Sequence, residues 1–209
     1  MFDLQRDDLA KAVLDCSAGV AGFAAEAGAR GTRVVAVDPA YALPREEIAQ
    51  LGRADLARGS AIAGEHPDRF TFDWYGSPER RLSMRNRALA QFVTDLVTHP
   101  NRYVAGQLPQ LPFKDASYDV VVCSHLLFTW ADQLGLDWHR SALIELARVA
   151  AEVRVFPTVM QGPGEPVPFW DELMSDLADA GLTTERRRVA YEFQKGADTM
   201  LVVTRRLAR

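Results

Sequence analysis

The 209 residues predict an α/β protein built on a doubly wound, seven-stranded, mostly parallel sheet. Three observations predict it. Short apolar runs alternate with helix-period segments along the chain. Some runs are continuous, such as Val120-Val121-Val122, as a parallel strand covered on both faces requires. The last two runs read instead as an antiparallel hairpin.

The first strand is expected over Ala12 to Cys16 and carries Asp15 near its end. The turn after it is built from Ser17, Ala18, Gly19, Ala21 and Gly22, all small, so that backbone and a following helix can approach a ligand closely. A second strand, Arg33 to Val37, runs into Asp38-Pro39. From Pro39 to Asn101 the chain then spends about 60 residues where a compact crossover needs roughly a dozen, which predicts a helical insertion covering the cleft. Ser77-Pro78-Glu79 supplies an N-cap, a first-turn proline and an acid. The helix they open runs through Leu82, Leu89, Phe92, Val93, Leu96 and Val97 and stops before Pro100. Arg80, Arg81, Arg85 and Arg87 on it read as a solvated face, with a hold on a phosphorylated or acidic substrate as the alternative, while Tyr41, Trp74 and Tyr75 are available to line a cleft.

The remaining strands are expected at Arg102 to Gly106, Tyr118 to Cys123 and Glu152 to Phe156, followed by a helix from Phe169 to Ala180 closed by Gly181. The closing pair falls near Glu185 to Tyr191 and Thr199 to Arg205, joined through Lys195-Gly196-Ala197-Asp198.

Composition bounds the function. A content of 48% hydrophobic residues in 209 supports one sizeable core, so residues 1–209 read as a single domain with its insertion at 39–101. A formal charge of −4 argues against a broad nucleic-acid-binding surface. No apolar run approaches the roughly 20 residues that span a bilayer, and the first eight residues are too acidic for a signal peptide, so a soluble, cytoplasmic protein without a membrane partner is expected. Cys16 and Cys123 show no metal spacing and read as reduced, packed thiols. His66, His99, His125 and His139 are scattered, and no metal site is expected.

The ligand follows from the acids. Asp38 lies about 20 residues beyond the turn, where a carboxylate at the end of a second parallel strand accepts hydrogen bonds from a ribose diol. Read from Ser17 the turn is S-x-G-x-x-G, one residue from the dinucleotide fingerprint, which keeps an NAD(P)-dependent oxidoreductase among the alternatives. That fingerprint delivers a pyrophosphate, however. Asp15 would repel it, with no basic residue from Leu14 to Ala29 to compensate. A ligand with a cationic end suits the site better. S-adenosylmethionine offers an ammonium, a sulfonium, a ribose for Asp38 and a carboxylate for the N–H groups of the Ser17-Ala18-Gly19 turn.

Val13-Leu14-Asp15-Cys16-Ser17-Ala18-Gly19 resembles the first motif of the class I methyltransferases, with Ser17 and Ala21 where that family commonly carries glycine. Gln107-Leu108, followed by Leu111-Pro112-Phe113 and Tyr118-Asp119, resembles the same family's adenine-side loop. The chain as a whole is similar to a group of small bacterial methyltransferase-like proteins that pair these segments with Asp38-Pro39, His125 to Phe128 and Tyr191 to Gly196. The resemblance implies a Rossmann-like seven-stranded fold, S-adenosyl-L-methionine as cofactor and S-adenosyl-L-homocysteine as product. By the match, Gln107 bonds the adenine edge and Leu108 packs on its face. The cofactor set is then Asp15, Ser17, Ala18, Gly19, Asp38, Pro39, Gln107, Leu108, Ser124 and His125.

In a doubly wound sheet, ligands lie beyond the carboxyl ends of the strands. Ser124 and His125 follow the fourth strand and should face the Asp15 turn, where backbone carbonyls can accept from a ligand ammonium. His125 is the candidate general base, with a plain strand-end role as the alternative. Tyr41, Phe128, Trp130, Tyr191 and Gln194 are the candidate contacts to a small-molecule acceptor. The expected activity is methyl transfer from S-adenosylmethionine; a non-catalytic binder of the same cofactor is the rival from another class. An exposed helix of the insertion offers a face for a homodimer.

Overall fold

A computed structural model describes residues 1–162 and 164–206. Its seven-stranded sheet has the order β3-β2-β1-β4-β5-β7-β6. The strands are β1 (Ala12–Cys16), β2 (Arg33–Val37), β3 (Tyr103–Val104), β4 (Tyr118–Ser124), β5 (Ala150–Phe156), β6 (Leu182–Arg188) and β7 (Thr199–Arg205). The first five pair in parallel, and β7 enters antiparallel between β5 and β6. The helices are α1 (Arg6–Leu9), α2 (Phe23–Ala29), α3 (Arg45–Glu65), α4 (Pro78–Thr98), α5 (Ala131–Val149) and α6 (Trp170–Asp179), with α5 broken at Gly135.

Strand alternation divides the core between the two faces of the sheet. Leu14, Cys16, Val121, Cys123, Val153 and Val155 bury one face with α5 and α6, through Leu143, Leu146, Leu173 and Leu177. Val13, Ala36, Val120 and Val122 bury the other, with Ala24 and Ala27 of α2 and Phe92 and Leu96 of α4. All five residues of β1 are buried, as a central strand covered on both faces must be. Among the described residues no helix is long and apolar enough to cross a membrane.

Between β2 and β3 stand the α3–α4 pair and short 3₁₀ turns. Ser77 caps α4, its Oγ accepting from the Arg80 N–H at 3.2 Å, and Pro78 occupies the first turn. At the other end Asp95 ties α4 to Arg102 and Tyr103 at the start of β3. α4 also presses on the start of α2: a Cβ added to Gly22 would lie 2.9 Å from the Ala88 carbonyl oxygen. On α3, Gly52 lies under Leu89 and Val20 in the same way.

Four expectations need correcting. β3 has two residues rather than five, because Arg102 ends a 3₁₀ turn and is held by Asp95, and Gly106 N–H turns to the Asp38 carbonyl. β6 begins three residues earlier than expected, directly after Gly181, whose φ of 79° ends α6. Its edge position leaves Glu185, Arg186 and Arg188 exposed, so charge conceals the strand pattern. The β6–β7 connection is residues 189–198, a ten-residue loop rather than a tight four-residue one. Finally, the arginine stripe of α4 is not wholly solvated, since Arg81 is buried.

Candidate functional site

The carboxyl ends of β1, β2 and β4 converge as the register requires. Cys16 pairs with Val37 on one side and with Cys123 on the other, so Ser17, Asp38 and Ser124 emerge side by side. Asp38 is the organising residue. Its Oδ2 accepts from the Gly19 N–H and its Oδ1 from the Ala40 N–H, both at 2.9 Å. Each carboxylate oxygen keeps a further lone pair, enough for a diol. Pro39 opens the 3₁₀ turn that Asp38 caps.

Asp15 sits one step back on β1, between Ala36 and Val122, and is 5% exposed. Its Oδ2 is buried with no partner among the described residues. Burial, with the Asp38 charge adding, pushes its carboxyl up to about 7. An orphaned buried carboxylate beside a second acid is costly alone. A cationic ligand bearing hydroxyls would answer both acids at once.

The turn differs from expectation in one respect that matters. Ala18 N–H donates to the Val37 carbonyl, Gly19 N–H to Asp38, and Ala21 N–H to the Ala18 carbonyl. The first two donors hold the turn to the end of β2 and the third closes the turn on itself, so these three are not presented to a ligand carboxylate. Ser17 and Gly19 both have φ of 55°, a left-handed backbone that explains why glycine is common at the Ser17 position. Tyr41 backs the turn from beneath, donating its hydroxyl to the Gly19 carbonyl at 2.7 Å and packing against Phe92 and Tyr103. That contact, rather than one with an acceptor, accounts for its position.

After β4, the chain holds His125 and Phe128 in left-handed conformations, with φ of 57° and 64°. The His125 N–H donates to the Phe156 carbonyl at 2.8 Å, and its own carbonyl accepts from the Trp130 indole at 3.2 Å, which leaves that oxygen one further lone pair. The imidazole keeps accessible surface yet is crowded by protein, as a group lining a cleft is. Its pKa is drawn down to about 4 by that crowding first, then by the charges of Arg85, the amino terminus and Arg81. It is neutral at pH 7 and therefore able to accept a proton, but weakly basic.

Phe128 is fully buried against His139 and Trp170, which removes it from the expected acceptor contacts. Leu108 is likewise 6% exposed and belongs to the core with Val37 and Leu111, leaving little surface for an adenine. Gln107 is exposed, its carbonyl closing a turn with the Gln110 N–H. Trp130 stands exposed at the rim, and Tyr191 is buried with its hydroxyl 2.8 Å from that of Tyr75. Gln194 donates to the Met160 carbonyl, joining the loop after β5 to the β6–β7 loop.

Two residues with positioning roles were not singled out by the sequence. His139, fully buried, accepts the Phe128 N–H at Nε2 while Nδ1 lies 2.6 Å from the Gly135 carbonyl, which fixes the tautomer and the loop carrying His125. Glu145 accepts the Leu111 N–H at 2.6 Å and pairs with Arg148, anchoring the Leu-Pro-Phe loop to α5. Only the four-residue spacing of Gly135 and His139 hinted at the first. Nothing local hinted at the second.

A family model described as a methyltransferase domain matches residues 81–156. An uncharacterized protein from Methanocaldococcus jannaschii is 27% identical over 206 residues, covering 98% of this chain and 90% of the relative. Among solved structures, a SAM-dependent methyltransferase from Methanosarcina mazei aligns over 98% of this chain and 95% of its own, at 13% identity and a TM-score of 0.50. The PH0226 protein from Pyrococcus horikoshii aligns over 94% and 82%, also at 13% and 0.50. At such identity the structural likeness is one of fold, and the strand order is that of the methyltransferase sheet.

Proposed function

We propose that the chain is a class I S-adenosylmethionine-dependent methyltransferase that transfers the methyl group to a small-molecule acceptor, a reading supported by its sheet and by the methyltransferase-domain match over residues 81–156. The observation that carries the reading is Asp15, whose buried, unpartnered Oδ2 lies beside the Asp38 charge and calls for a cationic ligand. A pyrophosphate cofactor would add negative charge where two acids already stand.

Asp38 would hold the ribose, and Asp15 the cationic end of the cofactor. Pro39, Ser17 and Ser124 border the same convergence of strand ends, and Gln107 is free to meet the adenine edge. Bound S-adenosylmethionine would supply an electrophilic methyl carried on a sulfonium. The chain's own part is to orient, exclude water and manage one proton. Alignment of the two reactants alone can account for several kcal/mol of barrier lowering. His125, neutral at pH 7, would receive the proton that an acceptor hydroxyl or amine loses. Trp130, exposed at the end of that loop, would contact the acceptor, with Gln194 and the Tyr191–Tyr75 hydroxyl pair backing the acceptor side.

Calorimetric titration with S-adenosylmethionine, S-adenosylhomocysteine and NADH tests the reading. Micromolar binding of the first two without NADH is expected, followed by turnover in an acceptor screen. Binding of NADH alone would sink the proposal, and cofactor binding with no turnover across that screen would leave the non-catalytic rival standing.

A further inference from the structure

Arg81 and Arg85 lie one turn apart on α4 and have no carboxylate within ion-pairing distance among the described residues. For Arg81 this is unusual, because it is 8% exposed and its Nε is buried with no partner. Buried arginines are ordinarily paired. Here the guanidinium instead lies 3.8 Å from the centre of the Phe193 ring and 5.9 Å from that of Tyr75. The aromatic faces accommodate the charge but leave the Nε–H of Arg81 unused. Arg85 is half-buried, and its guanidinium occupies space that a side chain at Gly59 of α3 would take, 2.8 Å from the added Cβ.

The Tyr75 hydroxyl beside Arg81 lies 2.8 Å from that of Tyr191, whose ring packs on Phe156, and Phe156 in turn meets the His125 imidazole, so Arg81 borders the His125 side of the cleft. The turn's Ala18, Gly19 and Ala21 N–H groups are meanwhile engaged within the protein. Arg81 Nε and the Arg85 guanidinium remain as donors with no partner among the described residues, available to the anionic end of a ligand.

We propose that Arg81 and Arg85 form an oxyanion-binding site over the His125 end of the cleft, taking a carboxylate or phosphate of the bound ligands. The identification of those ligands rests on the proposed methyltransferase function; the site itself does not. Two sources share the chemistry, the acceptor's own anionic group and the carboxylate of the cofactor. A paired fork of guanidinium groups suits either, since each offers parallel N–H donors to two oxygens.

Titration of the full chain with inorganic phosphate at constant ionic strength, with and without saturating S-adenosylhomocysteine, tests the site. Wild type should bind phosphate. Arg85→Gln, at a half-exposed position that keeps the fold, should bind it about tenfold more weakly, the loss expected for one charge-assisted contact. Gly59→Ala should weaken it in the same direction by displacing Arg85. Equal binding by Arg85→Gln and wild type, or none by wild type, overturns the proposal. Phosphate binding undiminished by S-adenosylhomocysteine assigns the site to the acceptor. Competition, with Arg85→Gln weakening S-adenosylhomocysteine but not 5′-methylthioadenosine, which lacks the carboxylate, assigns it to the cofactor. Phosphate binding without affinity for either nucleoside would uphold the oxyanion site and reject the methyltransferase reading.

Discussion

Gly19 N–H donates to Asp38 Oδ2 at 2.9 Å, joining the turn after β1 to the end of β2 through a single carboxylate. The acid that would hold a ribose also sets the shape of the turn beside it. Substitution at Asp38 therefore acts on both, whereas Asp15, whose Oδ2 holds nothing, offers the cleaner probe.

Asp15→Asn should stabilise the ligand-free protein while weakening the ligand. A carboxyl with an ordinary pKa of 3.8, raised to about 7 on folding, binds more protons in the native state than in the unfolded one between those values. Stability of the wild type should accordingly fall as pH rises from about 4 to about 7, by an amount on the order of a few kcal/mol. The variant should lose that slope in melting curves taken across the range. Its affinity for S-adenosylhomocysteine at pH 8 should drop by about tenfold or more.

Gly22→Ala should destabilise by about 1–3 kcal/mol, the range for overpacking a filled contact. The added Cβ meets the Ala88 backbone, which cannot swing aside as a flexible side chain would. Denaturant unfolding measures the loss, with an unchanged m-value showing that the transition itself is intact.

His139→Leu should cost about 1–3 kcal/mol by leaving the Phe128 N–H buried without its acceptor. Hydrogen exchange at the Phe128 amide should accelerate far more than exchange in β4, since the hydrogen bond removed is local. Uniform acceleration would show that His139 supports the core as a whole and not the loop.

His125 should titrate near 4 when followed by its imidazole resonances. Arg85→Gln should raise that value, because removing a neighbouring positive charge eases protonation. Whatever part His125 takes in proton transfer, its neutral form is then fully present from pH 6 to 8, and its contribution to rate should be flat across that range.

What the sequence disclosed was local and periodic. β1 and β2 are bounded as expected because both are central strands whose burial on two faces leaves an uninterrupted apolar run. α4 begins where Ser77-Pro78 places it, since capping depends on residues within one turn. Failures came where distant partners decide. Nothing near Arg81 in sequence distinguishes it from Arg80 or Arg87, and only the Phe193 ring, more than a hundred positions away, explains its burial. Phe128 and Leu108 occur in segments that border the cleft, yet their left-handed or turned backbones direct the side chains into the core. The acids, by contrast, were legible because strand ends must meet at the crevice of a doubly wound sheet.

The contact of Gly22 with Ala88 bears on how the insertion is held. There is no room for even a methyl group between them, so α4 of the insertion is seated directly on the start of α2, beside the turn that Asp38 holds. Gln194 joins the loop after β5 to the loop between β6 and β7 through the Met160 carbonyl, and the second loop is tied to the insertion by the Thr71 N–H on the Phe193 carbonyl and the Lys195 N–H on the Arg69 carbonyl. The insertion and the two loops are thus fastened to one another by several hydrogen bonds, while Asp15 and Asp38 rest on the ends of β1 and β2.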